Sequence, residues 1–382
     1  MNLPRSNQTE NQIWRKEEVF FENDAYYESL LAGIDSAKHT IYFETYIFSK
    51  SFIGDLFAKK LCEASNRGVH VRILVDGFGS PSFTSSYEAQ LKRHKVEVRL
   101  YRSLPWDLHT HTHESLNPIR RFFNRIYRMN HGTHRKYCLI DSKHLWVGSL
   151  NICDEHSEAL MKEQAWGDVG VYVEGPQVSF AKKAFLKSFE SKHLLKEIEE
   201  YQSNHLILLN QTRNLKRKNR AGQMSHVRKA KTRIWIETPY FVPIARFLLL
   251  LMKKHRDGLD VRIVVPFHND VWVTKWISYS YLFRLAKSGI KVYEYQRRFL
   301  HRKVFIIDDW ICIGSSNLNH RSFLHDLELD VVLTCPKVKE QVVKQTLDDM
   351  ANSMPLNQDI WSAFPWWKRL LSRFLSIFSY WS

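Results

Sequence analysis

No run of 18 or more apolar residues occurs in the 382-residue chain, so no membrane-spanning helix is predicted. The start, MNLPRSNQTENQ, is polar and has no apolar core, so a secretory signal is not expected there. Cysteine is scarce: Cys62, Cys138, Cys153, Cys312 and Cys335 are odd in number, scattered, and without a C-x-x-C. That argues against a disulfide framework and for a reducing cytosol. Acid is in deficit, 40 Asp+Glu against 56 Lys+Arg, for a net charge of +16. The partners this implies are polyanions, either nucleic acid or anionic lipid headgroups. With 44% hydrophobic and 13% aromatic residues the chain can build a large core, which excludes disorder as a description of the whole.

The chain is written twice. Residues 37–48 read AKHTIYFETYIF and residues 230–241 read AKTRIWIETPYF, each a helix end entering an apolar strand with one carboxylate, Glu44 or Glu237. VRILVD (71–76) is answered by VRIVVP (261–266), and HRKYCLID (134–141) by HRKVFIID (301–308). Helices with apolar spacing lie between, carrying Phe57, Leu61 and Ala64 in one half and Phe247, Leu250 and Leu251 in the other. The fold class predicted is α/β: two similar lobes of mixed sheet flanked by helices, in a pseudo-twofold arrangement with the site between them. The expected division is a tail over 1–18, lobes over 19–204 and 205–350, and a terminal amphipathic segment over 351–382. Residues 212–231 hold eight Lys/Arg and no acid, yet the repeat sets Val227 opposite Ile34 of the helix expected over 26–38. They are therefore expected to include a helix with a basic outer face.

Two matched segments carry the chemistry. His134 and Lys136 are followed by Asp141 and then Gly148-Ser149-Leu150-Asn151; His301 and Lys303 are followed by Asp308 and then Gly314-Ser315-Ser316-Asn317. In a strand, alternate residues share a face, so each His-x-Lys pair would point into one cleft. Glycine permits close backbone approach, and Ser and Asn can bond phosphate oxygens. A phosphodiester needs a nucleophile, an acid for the leaving alkoxide and fixed positive charge, which two histidines and two lysines supply without a metal or other cofactor. One such pair is ordinary strand-edge polarity; two in the same frame with the same tail are not.

This pattern resembles the phospholipase D superfamily, with one H-x-K-x4-D segment in each lobe. The resemblance implies transfer through a phosphohistidine, with His134 as nucleophile and His301 as acid and base. It also implies that Lys136, Lys303, Asn151 and Asn317 hold the phosphoryl oxygens, and that Asp141 and Asp308 fix the architecture of the motif. An acid further along the chain is expected to orient each imidazole: Asp168 follows His134, and Glu328 follows His301. RGVHVRILVDGFGS (67–80), AWGDVGVYVEGP (165–176), HRKVFIIDDWICIGSSNLNHRSF (301–323) and Trp366-Trp367 are most similar to short bacterial cardiolipin synthases. That implies transfer of a phosphatidyl group between two phosphatidylglycerols, by a peripheral protein on the cytoplasmic side of the inner membrane. A hydrolase or nuclease of the same fold is the alternative.

Two segments are candidates for reaching the bilayer. Over 366–381, Trp367, Leu370, Leu371, Phe374, Phe378 and Trp381 share a helical face opposite Lys368, Arg369, Ser372, Arg373 and Ser376. Sixteen helical residues span roughly 24 Å, short of the ~30 Å hydrocarbon core, so an interfacial helix led by Trp366 is expected rather than a spanning one. Residues 117–129, NPIRRFFNRIYRM, set Phe122 and Phe123 in an apolar stripe opposite four arginines. Packing on the protein's own core is the alternative for both. Charge interleaved with Trp and Phe favours anionic phospholipid over nucleic acid. His109, His111 and His113 read as a solvated loop rather than a metal site, Cys153 as packing, and residues 78–82 as a turn rather than a phosphate loop.

Overall fold

The computed structural model describes residues 13–102, 131–190, 206–357, 365–367 and 372. His109, His111, His113, Phe122, Phe123, Phe374 and Phe378 lie outside the described residues. The first sheet comprises β1 (Lys16–Phe20), β2 (Thr40–Thr45), β3 (His70–Val75), β4 (Glu97–Leu100), β5 (Tyr137–Ile140), β6 (His144–Gly148) and β7 (Gly170–Glu174). Their spatial order is β1-β7-β6-β5-β2-β3-β4. The second comprises β8 (Ile207–Leu209), β9 (Arg233–Glu237), β10 (Asp260–Pro266), β11 (Lys291–Tyr295), β12 (Val304–Ile307), β13 (Trp310–Gly314), β14 (Leu329–Val332) and β15 (Ser353–Leu356). Their order, β8-β14-β13-β12-β9-β10-β11-β15, repeats the first and adds β15 at one edge.

In each lobe three parallel strands are joined at β2–β5 or β9–β12 to four antiparallel ones, and β15 adds one more antiparallel strand beside β11. The longer helices are α1 (Asn23–Ser36), α2 (Phe52–Asn66), α3 (Ser179–Glu190), α4 (Arg213–Lys229), α5 (Ala245–Arg256), α6 (Trp272–Lys287) and α7 (Pro336–Ala351). Helices α2, α5 and α6 provide the crossovers that parallel strands require. Among the parallel strands β2, β3, β9 and β10 are mostly buried, and β3 and β10 carry apolar runs such as Ile73-Leu74-Val75 and Ile263-Val264-Val265. Leu139 and Val171 of the first sheet share one buried cluster with Ile313 and Val331 of the second, which makes the lobes a single packed body.

Helix α1 starts at Asn23, earlier than expected, because the Glu158 carboxylate accepts the Asn23 and Asp24 backbone N–H groups at 3.0 and 3.2 Å. The basic stretch forms α4, capped by Thr212, whose hydroxyl accepts the Leu215 N–H at 3.1 Å. Lys216, Gln223 and Val227 face inward while Arg213, Arg217, Lys218, Arg228 and Lys229 are exposed, and Val227 and Ile34 are both fully buried. Strand β1 begins inside the stretch expected as a tail because Lys16 to Phe20 pair with β7, and β15 extends the second sheet beyond residue 350. Among the described residues no helix is long and apolar enough to cross a membrane. In the terminal segment Ser372 is buried and its hydroxyl donates to the Trp276 carbonyl of α6 at 2.7 Å, whereas Trp366 and Trp367 are 70% and 50% exposed.

Candidate active site

Strand β2 runs antiparallel to β5, with Glu44 opposite Tyr137, and Glu237 of β9 is likewise opposite Val304 of β12. The His-x-Lys segments therefore arrive at the edge where the parallel strands end. They are not within the strands: β5 and β12 begin one residue after Lys136 and Lys303. The approaching chain is fixed by the opposite lobe instead. His134 N–H donates to the Leu327 carbonyl and Leu327 N–H to that of Gly132, both at 2.9 Å. His301 N–H donates to the Gly167 carbonyl and Gly167 N–H to that of Phe299, both at 2.8 Å.

These bonds exchange the orienting acids. The residue after Leu327 is Glu328, whose carboxylate oxygens both lie 3.2 Å from His134 Nδ1; the residue after Gly167 is Asp168, with Oδ1 2.7 Å from His301 Nδ1. Each imidazole is thus held by the acid that sequence order gave to the other. His134 Nδ1 also lies 3.1 Å from the Ser315 carbonyl, an acceptor only. Nδ1 therefore carries the hydrogen and Nε2 keeps its lone pair. The Arg between His and Lys secures the exchange: Arg135 Nε donates to the Glu328 carbonyl at 3.3 Å and Arg302 Nε to the Asp168 carbonyl at 2.9 Å. Both arginines are almost fully buried, against Glu44 at 3.8 Å and against Asp349 respectively.

The lysines flank the histidines. Lys136 Nζ donates to the His134 carbonyl and Lys303 Nζ to that of His301, each at 2.7 Å, and Lys303 Nζ is 2.8 Å from His301 Nε2. Burial pushes Lys136 down to about 8, against the pull of the Glu328 and Asp168 carboxylates, and pushes Lys303 well below its ordinary value. Burial first, and the lysine charges next, also hold both histidines well below the usual imidazole range. The two acids diverge. Burial drives Glu328 up to about 7, whereas Asp168, equally buried, is held well below the usual carboxylate range because His156 and His301 outweigh that penalty.

The Gly-Ser-x-Asn tails serve these acids. Ser149 Oγ donates to Asp168 Oδ1 at 2.6 Å and Ser315 Oγ to Glu328 Oε2 at 2.5 Å, so in this structure both hydroxyls face carboxylates and not a phosphate position. A Cβ on Gly148 would sit 2.5 Å from the Val169 carbonyl oxygen, which is why only glycine lets β6 pass β7 there. Asn151 is engaged locally, its Oδ1 accepting the Ile47 N–H at 3.2 Å, while Asn317 Oδ1 is buried with no hydrogen-bond partner. Asp141 and Asp308 lie at the far ends of β5 and β12, roughly 16 Å from the lysines at ~3.3 Å per residue. Asp141 accepts the backbone N–H groups of Lys38, His39 and Thr40 at 2.7–2.9 Å, and Asp308 those of Lys231, Thr232 and Arg233 at 2.8–3.0 Å. They tie each hairpin turn to the start of the neighbouring strand.

Sequence reasoning missed Arg135, Arg302, His156 and Ser322. The arginines had a signal, since the same residue separates His from Lys in both copies. Ser322 Oγ donates to Glu328 Oε1 and His156 Nδ1 bonds Asp168 Oδ2, both at 2.6 Å, and each stands five residues after the motif asparagine. Aromatic rings border the cleft, with Tyr46 5.1 Å from His134 and Trp166 5.2 Å from His301 between ring centroids. In the 78–82 stretch Asp76 Oδ1 accepts the Phe78 and Gly79 N–H groups at 3.0 and 3.1 Å, which makes a turn.

A family model described as "Cardiolipin synthase, PLD-like domain" matches the chain twice, over residues 30–166 and 224–350, once for each His-x-Lys segment. The chain belongs to that family. Proteins named cardiolipin synthase are similar along most of its length. One from Alkalihalophilus pseudofirmus is 30% identical over 375 residues, covering 92% of this chain and 69% of that one. Another from Geobacillus kaustophilus is 28% identical, covering 92% and 70%. Among solved structures, the phosphatidylserine synthase of Haemophilus influenzae superposes with a TM-score of 0.69 over 98% of this chain and 99% of its own, at 13% identity. The polyphosphate kinase of Porphyromonas gingivalis superposes with a TM-score of 0.59 over 96% and 56%, at 10% identity. At such identities the likeness is one of fold, and it establishes the two-lobed α/β architecture that the repeat predicted.

Proposed function

We propose that the chain is a cardiolipin synthase that moves a phosphatidyl group from one phosphatidylglycerol to the primary hydroxyl of another. The observation that carries this reading is the pair of histidines, each with Nδ1 bound to a buried carboxylate from the opposite lobe and a lysine at its side. His134 Nε2 attacks phosphorus, forming a P–N bond as the P–O bond to glycerol breaks, and His301, protonated at Nε2 once the bound phosphate's charge adds to that of Asp168 and offsets its burial, gives that proton to the departing oxygen. The second phosphatidylglycerol then enters. His301 takes the proton of its hydroxyl, the oxygen attacks phosphorus, and the P–N bond breaks to release cardiolipin. Lys136 and Lys303 face the phosphoryl oxygens, whose negative charge offsets the cost of their burial and favours the ammonium form.

The membrane surface is reached from the second lobe. Trp366 and Trp367 are exposed, Ser372 bonds the Trp276 carbonyl of α6, and α6 itself begins with Trp272, 63% exposed, after exposed Phe267 and Val271. Tryptophan at this density suits the headgroup layer, and the +16 charge suits an anionic one. This supports a peripheral position on the cytoplasmic face of the inner membrane. Phosphatidylglycerol vesicles incubated with the protein are expected to yield cardiolipin and glycerol in equal amounts. Phosphatidic acid without cardiolipin would make the enzyme a hydrolase, and cleavage of DNA with no lipid turnover would make it a nuclease.

A further inference from the structure

The two lobes are nearly equivalent around the cleft, and besides the exchange of Asp168 for Glu328 they differ at the residue that gives each acid its second bond. Asp168 and Glu328 each receive a hydroxyl from the serine of Gly-Ser-x-Asn and a second bond from the residue five places after the motif asparagine. In the second lobe that residue is Ser322, whose hydroxyl also accepts the Asn317 N–H at 3.1 Å. In the first lobe it is His156, an imidazole with no solvent exposure. The Asn151 backbone N–H points at His156 Nε2 at 3.3 Å, so Nε2 is the acceptor and the hydrogen sits on Nδ1, donating to Asp168 Oδ2 at 2.6 Å. Asp168 Oδ1 meets His301 Nδ1 at 2.7 Å. One carboxylate therefore bridges two imidazoles whose ring centroids are 5.9 Å apart, and Trp166 packs against both.

We propose that His156 is a positioning residue for the transfer reaction, holding Asp168 as the fixed, ionised partner of His301 and so giving His301, not His134, the proton-transfer role. The inference rests on the double-displacement reading above. A rigid ring wedged against Trp166 fixes the carboxylate more firmly than a rotatable hydroxyl can. The difference is visible in the geometry: Asp168 holds its histidine at 2.7 Å, whereas Glu328 stands 3.2 Å from His134, which shares its Nδ1 hydrogen with the Ser315 carbonyl. Both imidazoles carry positive charge in the reaction, His134 while it is bonded to phosphorus and His301 while it holds the proton, and the one that must hold and return a proton gains most from the closer, permanently charged carboxylate. The contrast between Asp168, held ionised, and Glu328, raised to about 7, runs the same way.

The test uses leaving groups. Glycerol departs as a poor alkoxide and needs a proton from His301, whereas p-nitrophenol leaves from phosphatidyl-p-nitrophenol without one. His156→Leu should slow transfer from phosphatidylglycerol at least about tenfold, and by no more than the 10²–10⁴ that a general acid contributes in full. The pre-steady-state burst of p-nitrophenol should stay within about threefold of wild type, while His134→Ala removes the burst altogether. His156→Asn, which restores an N–H near the Nδ1 position, should recover most of the transfer rate. Because both substrates are read on one sample, the ratio of the two rates is independent of the folded fraction. Equal slowing on both substrates, or no slowing on phosphatidylglycerol, would overturn the role of His156. A wild-type protein that gives neither cardiolipin nor a burst would instead overturn the transferase reading on which the role depends.

Discussion

His134 and Glu328 are 194 residues apart in sequence and come from different lobes, yet the Glu328 carboxylate caps His134 Nδ1 with both oxygens at 3.2 Å. The mirrored pair, His301 with Asp168, spans 133 residues in the opposite direction. Each lobe thus holds one histidine and the acid that serves the other lobe's histidine. Neither half contains a complete site, and any loosening of the lobe interface disturbs both centres together.

Removing either carboxylate charge tests that exchange. Asp168→Asn and Glu328→Gln keep the side-chain shapes and take away the charge facing the imidazole. Each is expected to lower kcat on phosphatidylglycerol micelles by about 10²–10⁴-fold with KM little changed, as loss of acid–base positioning does. Steady-state kinetics on the purified variants reads this directly; a rise in KM at constant kcat would assign the acids to substrate binding.

Asp308 behaves differently. Burial alone would raise it, but the Thr232 hydroxyl and three backbone N–H groups donate to it and hold it down to about 2. The folded form therefore keeps a benefit above the unfolded pKa, and loses it as the pH falls toward 2. Asp308→Ala removes the acceptor of those donors, most of them exposed to water, and should cost about 0.5–1.5 kcal/mol. Thermal denaturation should register the loss, while kcat of the folded fraction at moderate temperature stays within about threefold of wild type. A collapse of kcat with unchanged melting would contradict this structural role.

Glu328 gives the opposite pH signature. Raised from 4.5 to about 7, it keeps its proton in the folded chain after the unfolded chain has released it. Its contribution to stability is therefore full below about 4.5 and is lost as the pH rises to about 7. Glu328→Gln, which never ionises, should melt close to wild type at pH 5 and above it at pH 8. A melting difference that does not grow with pH would contradict the raised pKa.

Much of the fold was legible because it was written twice. The HRK frame, the apolar strands after it and the match of Val227 with Ile34 constrained one another, and the two sheets have the same strand order. Asp141 and Asp308, for which the resemblance implied an architectural role, stand at the far ends of β5 and β12, four strand residues from their lysines. The exchange of Asp168 and Glu328 was not legible. It is made by two backbone bridges between lobes, at Thr133–Leu327 and Gly167–Leu300, and main-chain pairing over such separations leaves no local pattern. The function of the serines was hidden for the same reason: a hydroxyl can bond a phosphate or a carboxylate, and only the fold decides which is near.

The exposed tryptophans bear on how lipid is reached. Replacing Trp366, Trp367 and Trp272 together with serine should reduce co-sedimentation with phosphatidylglycerol vesicles by at least about tenfold, each buried aromatic supplying on the order of 1.5–3 kcal/mol. Turnover of short-chain phosphatidylglycerol below its micellar concentration should be kept. Undiminished vesicle binding would remove this face as the membrane contact.

The central claim is that the phosphatidyl group is carried on a histidine between the lobes, and trapping that intermediate tests it most directly. Phosphatidylglycerol labelled at phosphorus is mixed with the enzyme, quenched within milliseconds in neutral denaturant, and the labelled peptide is mapped. Label is expected on His134 in the wild type, with accumulation in Asp168→Asn when the acceptor step is slowed more than the first, and none in His134→Ala. Cardiolipin forming at full rate with no label on the protein at any time would contradict that claim.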